Sequence, residues 1–427
     1  MATVYKTMSN FGDVVGGEVL LRLANFGVAA LIARSYGASV LGMYATIVAV
    51  ATLTERLADN GLELTGIAEV SAHPRRVSEI ATALYIDKTI LSAVAIGILA
   101  IMCRVVGLTA SQWLIAAILT LRTFLYSYCR LHAGFLKGLD RTRQIAKCQG
   151  LHFSLLALAL IYVYLQHKSL VVFLVYLLAA QIVEYVCSFV VLSRLGVGLA
   201  AIPRSLCWDL IRRSLPVGTT YTLATVMLRG DVLVLSLVAS ATVVGTFAAA
   251  DTGLVMIYVI AWLFSGVLLS ELGRHARNSN ALNFHFRKIL RTVMLVSIPL
   301  AAAGVLFARF AVITIFGKNF AGAGFIAAIM ILALPLIFLN AAFLSRLIAK
   351  NAARVAMLIY LPAAIVSLLL NYFLGRYCGA AGVAVSIVLR EAVISLVFLG
   401  FWHLPARPAE SLLTVNSRSD VVSLLNT

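Results

Sequence analysis

The chain has 427 residues, of which 62% are hydrophobic and 12% charged, with a mean hydropathy of +1.00 and a formal net charge of +17. Soluble globular proteins carry about 25% charged residues, so this composition excludes a water-soluble fold and describes a polytopic membrane protein. No stretch between apolar runs is long enough to fold alone. Six scattered cysteines without CxxC spacing exclude a disulfide framework or a thiolate metal site.

The opening stretch, MATVYKTMSNFGDVVGGEVLLRL, has one Lys before a segment carrying Asp13, Glu18 and Arg22 and lacks a small-residue cleavage site, so it does not read as a secretory signal. A span needs ~20 apolar residues. By that measure the sequence predicts about twelve helices, at 11–34, 40–65, 79–103, 110–135, 144–166, 169–193, 213–239, 242–270, 288–314, 321–346, 354–375 and 380–403. The fold class is therefore all-α.

Charges inside apolar spans are costly, about 2.5–3.5 kcal/mol on insertion scales, and commonly mark a pathway. Glu18 and Arg22 stand at i, i+4 on the first helix, either as an ion pair or with Arg22 free to serve a site. On the second helix Glu55, Asp59 and Glu63 form an acidic stripe that needs opposing bases or a coupling cation. Asp87 and Lys88 open the third helix as anchors. On the fourth, Arg122, Tyr126 and Arg130 fall at i, i+4, i+8 as one basic stripe with an aromatic between. A guanidinium grips a diphosphate with two aligned donors, although Arg130 near the helix end also suits snorkelling to headgroups.

The fifth and sixth helices give only hydropathy, apart from Glu184, which has no evident partner. In MLRGDVLVL, within the seventh helix, Arg229 and Asp231 point apart and cannot neutralise each other. Each then needs another partner, such as Asp251 or Arg390, or a place facing a cavity. Arg390 and Glu391 on the last helix carry the same ambiguity. Pro216, Pro299, Pro335 and Pro362 interrupt spans, as hinges or as packing features.

Sorting Lys and Arg by loop parity places 21 of the 34 on the side of the N-terminus and six on the other, with the rest inside spans. This bias orients both termini toward the cytoplasm and accounts for the net charge without nucleic acid. Six helices return the chain to its starting side, so a parallel repeat is expected, with lobes at 1–205 and 206–404 and a cytoplasmic tail at 405–427. ASVLGMYA at 38–45 and ATVVGTFA at 241–248 echo each other at matching places in the two halves.

RGDVLVLSLVASATVVGTFAAADTGL at 229–254, LIARSYGASVLGMYATIVAVATLTERLADNGL at 31–62, IFGKNFAGAG at 315–324 and GRYCGAAGVAVSIVLREAV at 375–393 together resemble the bacterial polysaccharide-exporter proteins. These are the O-antigen and exopolysaccharide flippases of the multidrug/oligosaccharidyl-lipid/polysaccharide exporter superfamily. The resemblance implies a twelve-helix, two-lobed transporter around a central cavity in the bacterial inner membrane. Its implied task is moving a polyprenyl-pyrophosphate-linked oligosaccharide from inner to outer leaflet by alternating access. It also implies cationic groups in that cavity, for which Arg22, Arg122, Arg229, Arg130 and Arg390 with Tyr126 are the candidates. No cofactor is expected, and coupling to an H+ or Na+ gradient would use Glu55, Asp59, Asp231 or Asp251. Membrane lipids and other polysaccharide-assembly proteins are the expected partners.

The nearest rival is a drug/cation antiporter of the same superfamily, whose cavity should be acidic or apolar. A membrane acyltransferase or glycan polymerase is a further alternative. Without HExxH, GxSxG, a P-loop or a paired-Asp sugar-nucleotide motif, and with short outer loops, the sequence does not read as an enzyme. A passive scaffold would not bury so many charges.

Overall fold

The computed structural model describes residues 2–274, 279–350 and 353–400, with most side chains described from Leu20 onward. The expected tail at 405–427 and the Glu18 side chain lie outside the described residues. Within them the chain is helical throughout: α1 (Ala2–Asp59), α2 (Leu62–Ala72), α3 (Val77–Val105), α4 (Ala110–Gly138), α5 (Thr142–Gln166), α6 (Leu170–Arg194), α7 (Arg204–Val238), α8 (Ala241–Arg274), α9 (Ser279–Phe316), α10 (Ala321–Ile331), α11 (Leu334–Ala349) and α12 (Ala353–Gly400).

Ten helical stretches among the described residues are long and apolar enough to cross a membrane, against about twelve expected. The difference arises at two glycines. The stretches Arg22–Ala72 and Leu358–Gly400 run for 51 and 43 residues, about twice what one crossing needs. Gly37 (φ 84°, ψ 179°) breaks the first and Gly379 (φ 59°, ψ −141°) the second. Both lie where the expected helix pairs 11–34/40–65 and 354–375/380–403 part. A positive φ costs glycine nothing and other residues a good deal, so each break is a one-residue corner rather than a loop.

The faces left uncovered are those a lipid solvent would cover. Leu306 is 79% exposed, Leu295 75% and Leu358 72%. Several serine and threonine hydroxyls inside helices are satisfied locally, as when Thr54 and Thr123 donate to carbonyls one turn back. Pro335 sits in the first turn of α11, where a missing N–H costs little, whereas Pro216, Pro299 and Pro362 lie inside helices.

Packing divides the chain into two compact units. The first comprises residues 1–252, 309–326 and 368–383. Here α1 packs against α3, α4, α5 and α7, and α4 against α2 and α6. Its core includes Leu62, Ile80, Leu84, Leu131, Phe135 and Leu210. Arg34 donates from Nε to the Ile315 carbonyl at 2.7 Å and also bonds Thr314, so a cation caps the open carbonyls at the end of α9.

In the same unit the two echoing segments lie on each other. A Cβ on Gly42 would fall inside the van der Waals envelope of the Ala241 carbonyl, and one on Gly245 inside that of the Ala38 carbonyl. Ala38 and Ala241 open the two echoes, and Gly42 and Gly245 hold their fifth positions, so the crossing is reciprocal. Small residues allow such backbone approach between membrane helices. A second close approach joins Gly61, after α1, to Gly218 on α7, where a Cβ on Gly61 would stand 2.8 Å from the Gly218 nitrogen.

The second unit comprises residues 253–308, 327–367 and 384–427. Its described core contains a ring stack. Phe343 on α11 meets Phe286 of α9 at 5.3 Å and Phe398 of α12 at 5.6 Å, and Tyr360 abuts Phe398 at 5.9 Å.

Candidate functional site

In the first unit, α1, α4 and α7 bring three arginines into one neighbourhood. Tyr44 lies within electrostatic reach of both Arg122 and Arg229, and Arg22 within reach of Arg229. Arg229 Nη1 stands 3.9 Å from Asp251 Oδ2 on α8, one of the partners expected from its sequence. Arg122 differs from the others. It makes no hydrogen bond or ion pair among the described residues, and its buried Nε has no acceptor. A buried guanidinium donor left unmatched is costly, and an anion would supply what it lacks. Tyr44 gave no signal in sequence because an aromatic on an apolar helix reads as packing.

Two turns along α4 from Arg122, Arg130 meets the acidic stripe. Its Nε donates to Glu63 Oε2 at 2.8 Å and its Nη2 binds the same carboxylate. Glu55 and Asp59 stand 4.0 and 3.9 Å away. Lys88, fully buried, pairs with Asp59 at 2.6 Å. Lys137 approaches Glu63 at 3.4 Å, Arg56 approaches Glu55 at 3.7 Å, and Ser127 donates to Glu55. The stripe is therefore opposed by four basic side chains, which removes the repulsion that three like charges on one face would create. Tyr126 lies between Arg122 and Arg130 and lines a cavity of about 50 Å³ with Arg130.

Asp231, one position beyond Gly230 on α7, accepts a hydrogen bond from the Asn371 amide at 2.7 Å, within the first unit. Glu184, whose partner the sequence left open, lies on α6 against Gln181 and His152.

Arg390 belongs to the second unit and is buried in a polar network. Its guanidinium lies 3.2 Å from Glu391, donates to the Tyr258 hydroxyl at 2.8 Å and reaches Ser367 at 3.3 Å. Tyr258 donates in turn to Glu391 Oε1 at 2.7 Å. Asn340 on α11 donates to Glu391 Oε2 at 2.9 Å and accepts from Ser395 at 2.7 Å. Asn340 and Asn371 went unnoticed in sequence. Their signal was available, since a carboxamide inside a membrane helix rarely stands without a polar partner.

The polysaccharide biosynthesis protein family model matches residues 9–269. The chain belongs to that family. No curated protein sequence matches it. Among solved structures, it resembles the lipid II flippase MurJ in an inward closed conformation, with a TM-score of 0.73 at 12% identity over 99% of this chain and 92% of that one. An inward-facing multidrug resistance MATE family transporter of the MOP superfamily gives 0.70 at 16% identity, over 89% and 93%. A MOP superfamily transporter from Pyrococcus furiosus gives 0.59 at 15% identity, over 92% and 93%. The fold is thus that of the MOP superfamily transporters, and the protein is a multi-pass membrane protein.

Proposed function

We propose that this protein is a flippase that carries a polyprenyl-pyrophosphate-linked glycan repeat unit from the inner to the outer leaflet of the bacterial inner membrane. The observation that carries this reading is the grouping of Arg122 and Arg229 about Tyr44, with Arg22 within reach of Arg229 and a buried Arg122 donor unmatched. Arg122, with Arg22 or Arg229, binds the diphosphate. The always-charged, planar guanidinium suits that task inside a membrane. Tyr126, one turn from Arg122 on α4, joins this site, whereas Arg130 is engaged by Glu63 and Arg390 by Glu391.

In this reading the lobes 1–205 and 206–404 alternate access to the two leaflets, both termini are cytoplasmic, and the prenyl tail remains in lipid. An H+ or Na+ gradient supplies direction through Glu55, Asp59, Asp231 or Asp251. Of these, Glu55, Asp59 and Asp251 face bases, and Asp231 accepts a hydrogen bond from the Asn371 amide. Membership of a polysaccharide biosynthesis family supports a glycan cargo over a cationic drug.

The test replaces Arg122 or Arg229 with Ala and measures surface glycan at matched protein levels. Loss of surface glycan is expected in each variant. Normal glycan in both would remove the assignment of these arginines.

A further inference from the structure

Glu184 is a carboxyl group in the middle of α6, 6% exposed, on the buried face that also carries Leu177, Gln181 and Ser188. Its Oε2 accepts from Gln181 Nε2 at 2.9 Å and lies 3.3 Å from His152 Nδ1 on α5. That same Nδ1 is 3.2 Å from the Ala180 carbonyl, which only accepts, so Nδ1 carries the imidazole hydrogen. Oε2 thus accepts from Gln181 with the His152 ring alongside, whereas Oε1 has no hydrogen-bond partner among the described residues. Beside it, Gln181 Oε1 is buried and without a donor. Two acceptors lacking a hydrogen, one on a carboxyl group, describe a place where a proton would be held.

The groups around this site come from both helices packed on α6. From α4, Arg122 acts electrostatically on both Glu184 and His152. Cys129 of α4 lies 3.5 Å from the Gln181 amide, and Arg130 lines the cavity that Glu184 lines. From α5, Cys148 joins His152, and its sulfur is 3.1 Å from that of Cys187 on α6. Glu63 and Lys137 bound the same cavity and are paired with each other, so they add little net field. With about 50 Å³, the cavity has room for ordered water to deliver a proton.

We propose that Glu184, held by Gln181 and His152, is a proton-binding site coupled to Arg122, so that a proton and the anionic cargo bind together. The coupling is electrostatic. An anion on Arg122 cancels the cation facing Glu184, and a neutral Glu184 leaves the Arg122 charge wholly available to the anion. Such linkage is reciprocal. This inference rests on the reading of Arg122 as a diphosphate ligand, and it adds a proton site to the four carboxylates already considered.

The test uses the full chain in lipid nanodiscs with farnesyl diphosphate as the probe. Calorimetry in two buffers of different ionisation enthalpy counts the protons taken up on binding, above the last ionisation of the diphosphate. The wild type is expected to take up protons, with affinity falling by up to about tenfold per pH unit where the site titrates. Glu184→Gln, a neutral mimic, is expected to bind with no uptake and a flat pH profile. Uptake in that variant equal to wild type overturns the proposal. Independently of the probe, infrared spectra recorded across a pH titration should show a protonated carboxyl band that Glu184→Gln removes and Glu184→Asp shifts. A wild type without that band also overturns it. Binding unchanged in Arg122→Ala, with the band present, instead removes the diphosphate reading and leaves the proton site standing.

Discussion

Arg122 and Lys88 show how neighbours decide what a buried charge does. Lys88 is wholly enclosed and has Asp59 at 2.6 Å, with the Tyr128 ring centroid 5.8 Å away. Removing one member of such a pair strands the other, at a cost on the order of 3–5 kcal/mol, while replacing both with apolar groups costs far less. Lys88→Met and Asp59→Leu are therefore each expected to lower the Tm and yield of purified protein, and the double variant to recover most of both. Equal or additive losses in the double variant would deny the pair its structural role. Arg122 has no such partner, so its substitution should spare stability and reach function instead. Arg122→Lys keeps the charge and loses the paired donors. Surface glycan is expected to fall about tenfold or more in Arg122→Lys, the scale of losing one charge-assisted hydrogen bond. Full glycan in that variant would mean that charge alone suffices. The sequence displayed the arginines as intramembrane charges, and it gave no means of telling Arg130, which Glu63 engages, from Arg122, since that depends on which helices α4 meets.

Helices make their closest approach where side chains vanish. Gly42 of α1 and Gly245 of α8 bring backbones so near that a single methyl group would strike a carbonyl oxygen, which cannot swing aside as a flexible side chain would. Gly42→Ala and Gly245→Ala are expected to open this crossing. In a cysteine-free background carrying Ala38→Cys and Ala241→Cys, either glycine variant should cut oxidative cross-linking several-fold relative to its parent. Unchanged cross-linking would contradict the contact. The ten stretches able to cross a membrane among the described residues were legible as hydropathy, and the breaks at Gly37 and Gly379 as glycines between apolar runs. What hydropathy could not convey was that a junction can be a single residue with positive φ inside an otherwise continuous helix. The echo between ASVLGMYA and ATVVGTFA was visible too, but similarity between two segments says nothing of whether they touch.

The whole molecule is read as a carrier oriented by its basic loops. With 21 of 34 Lys and Arg on one side, the 194–213 loop should be cytoplasmic and the corner near Gly379 external. Two native thiols test this. Cys378 is exposed and Cys207 partly buried. As single cysteines in intact cells, Cys378 is expected to react with a membrane-impermeant maleimide and Cys207 to react only after lysis. The reverse pattern would invert the topology and with it the direction of transport. Family and fold were legible because four separated motifs share their order and spacing with a known class. The cargo was not, because its recognition depends on which charges converge in space. The most direct measurement of the central claim is the leaflet distribution of the lipid-linked glycan after depletion of this protein from cells without a paralogue. Accumulation in the inner leaflet, relieved by the wild type and not by Arg122→Ala, is the predicted result. Continued arrival of the glycan in the outer leaflet after complete depletion would contradict it.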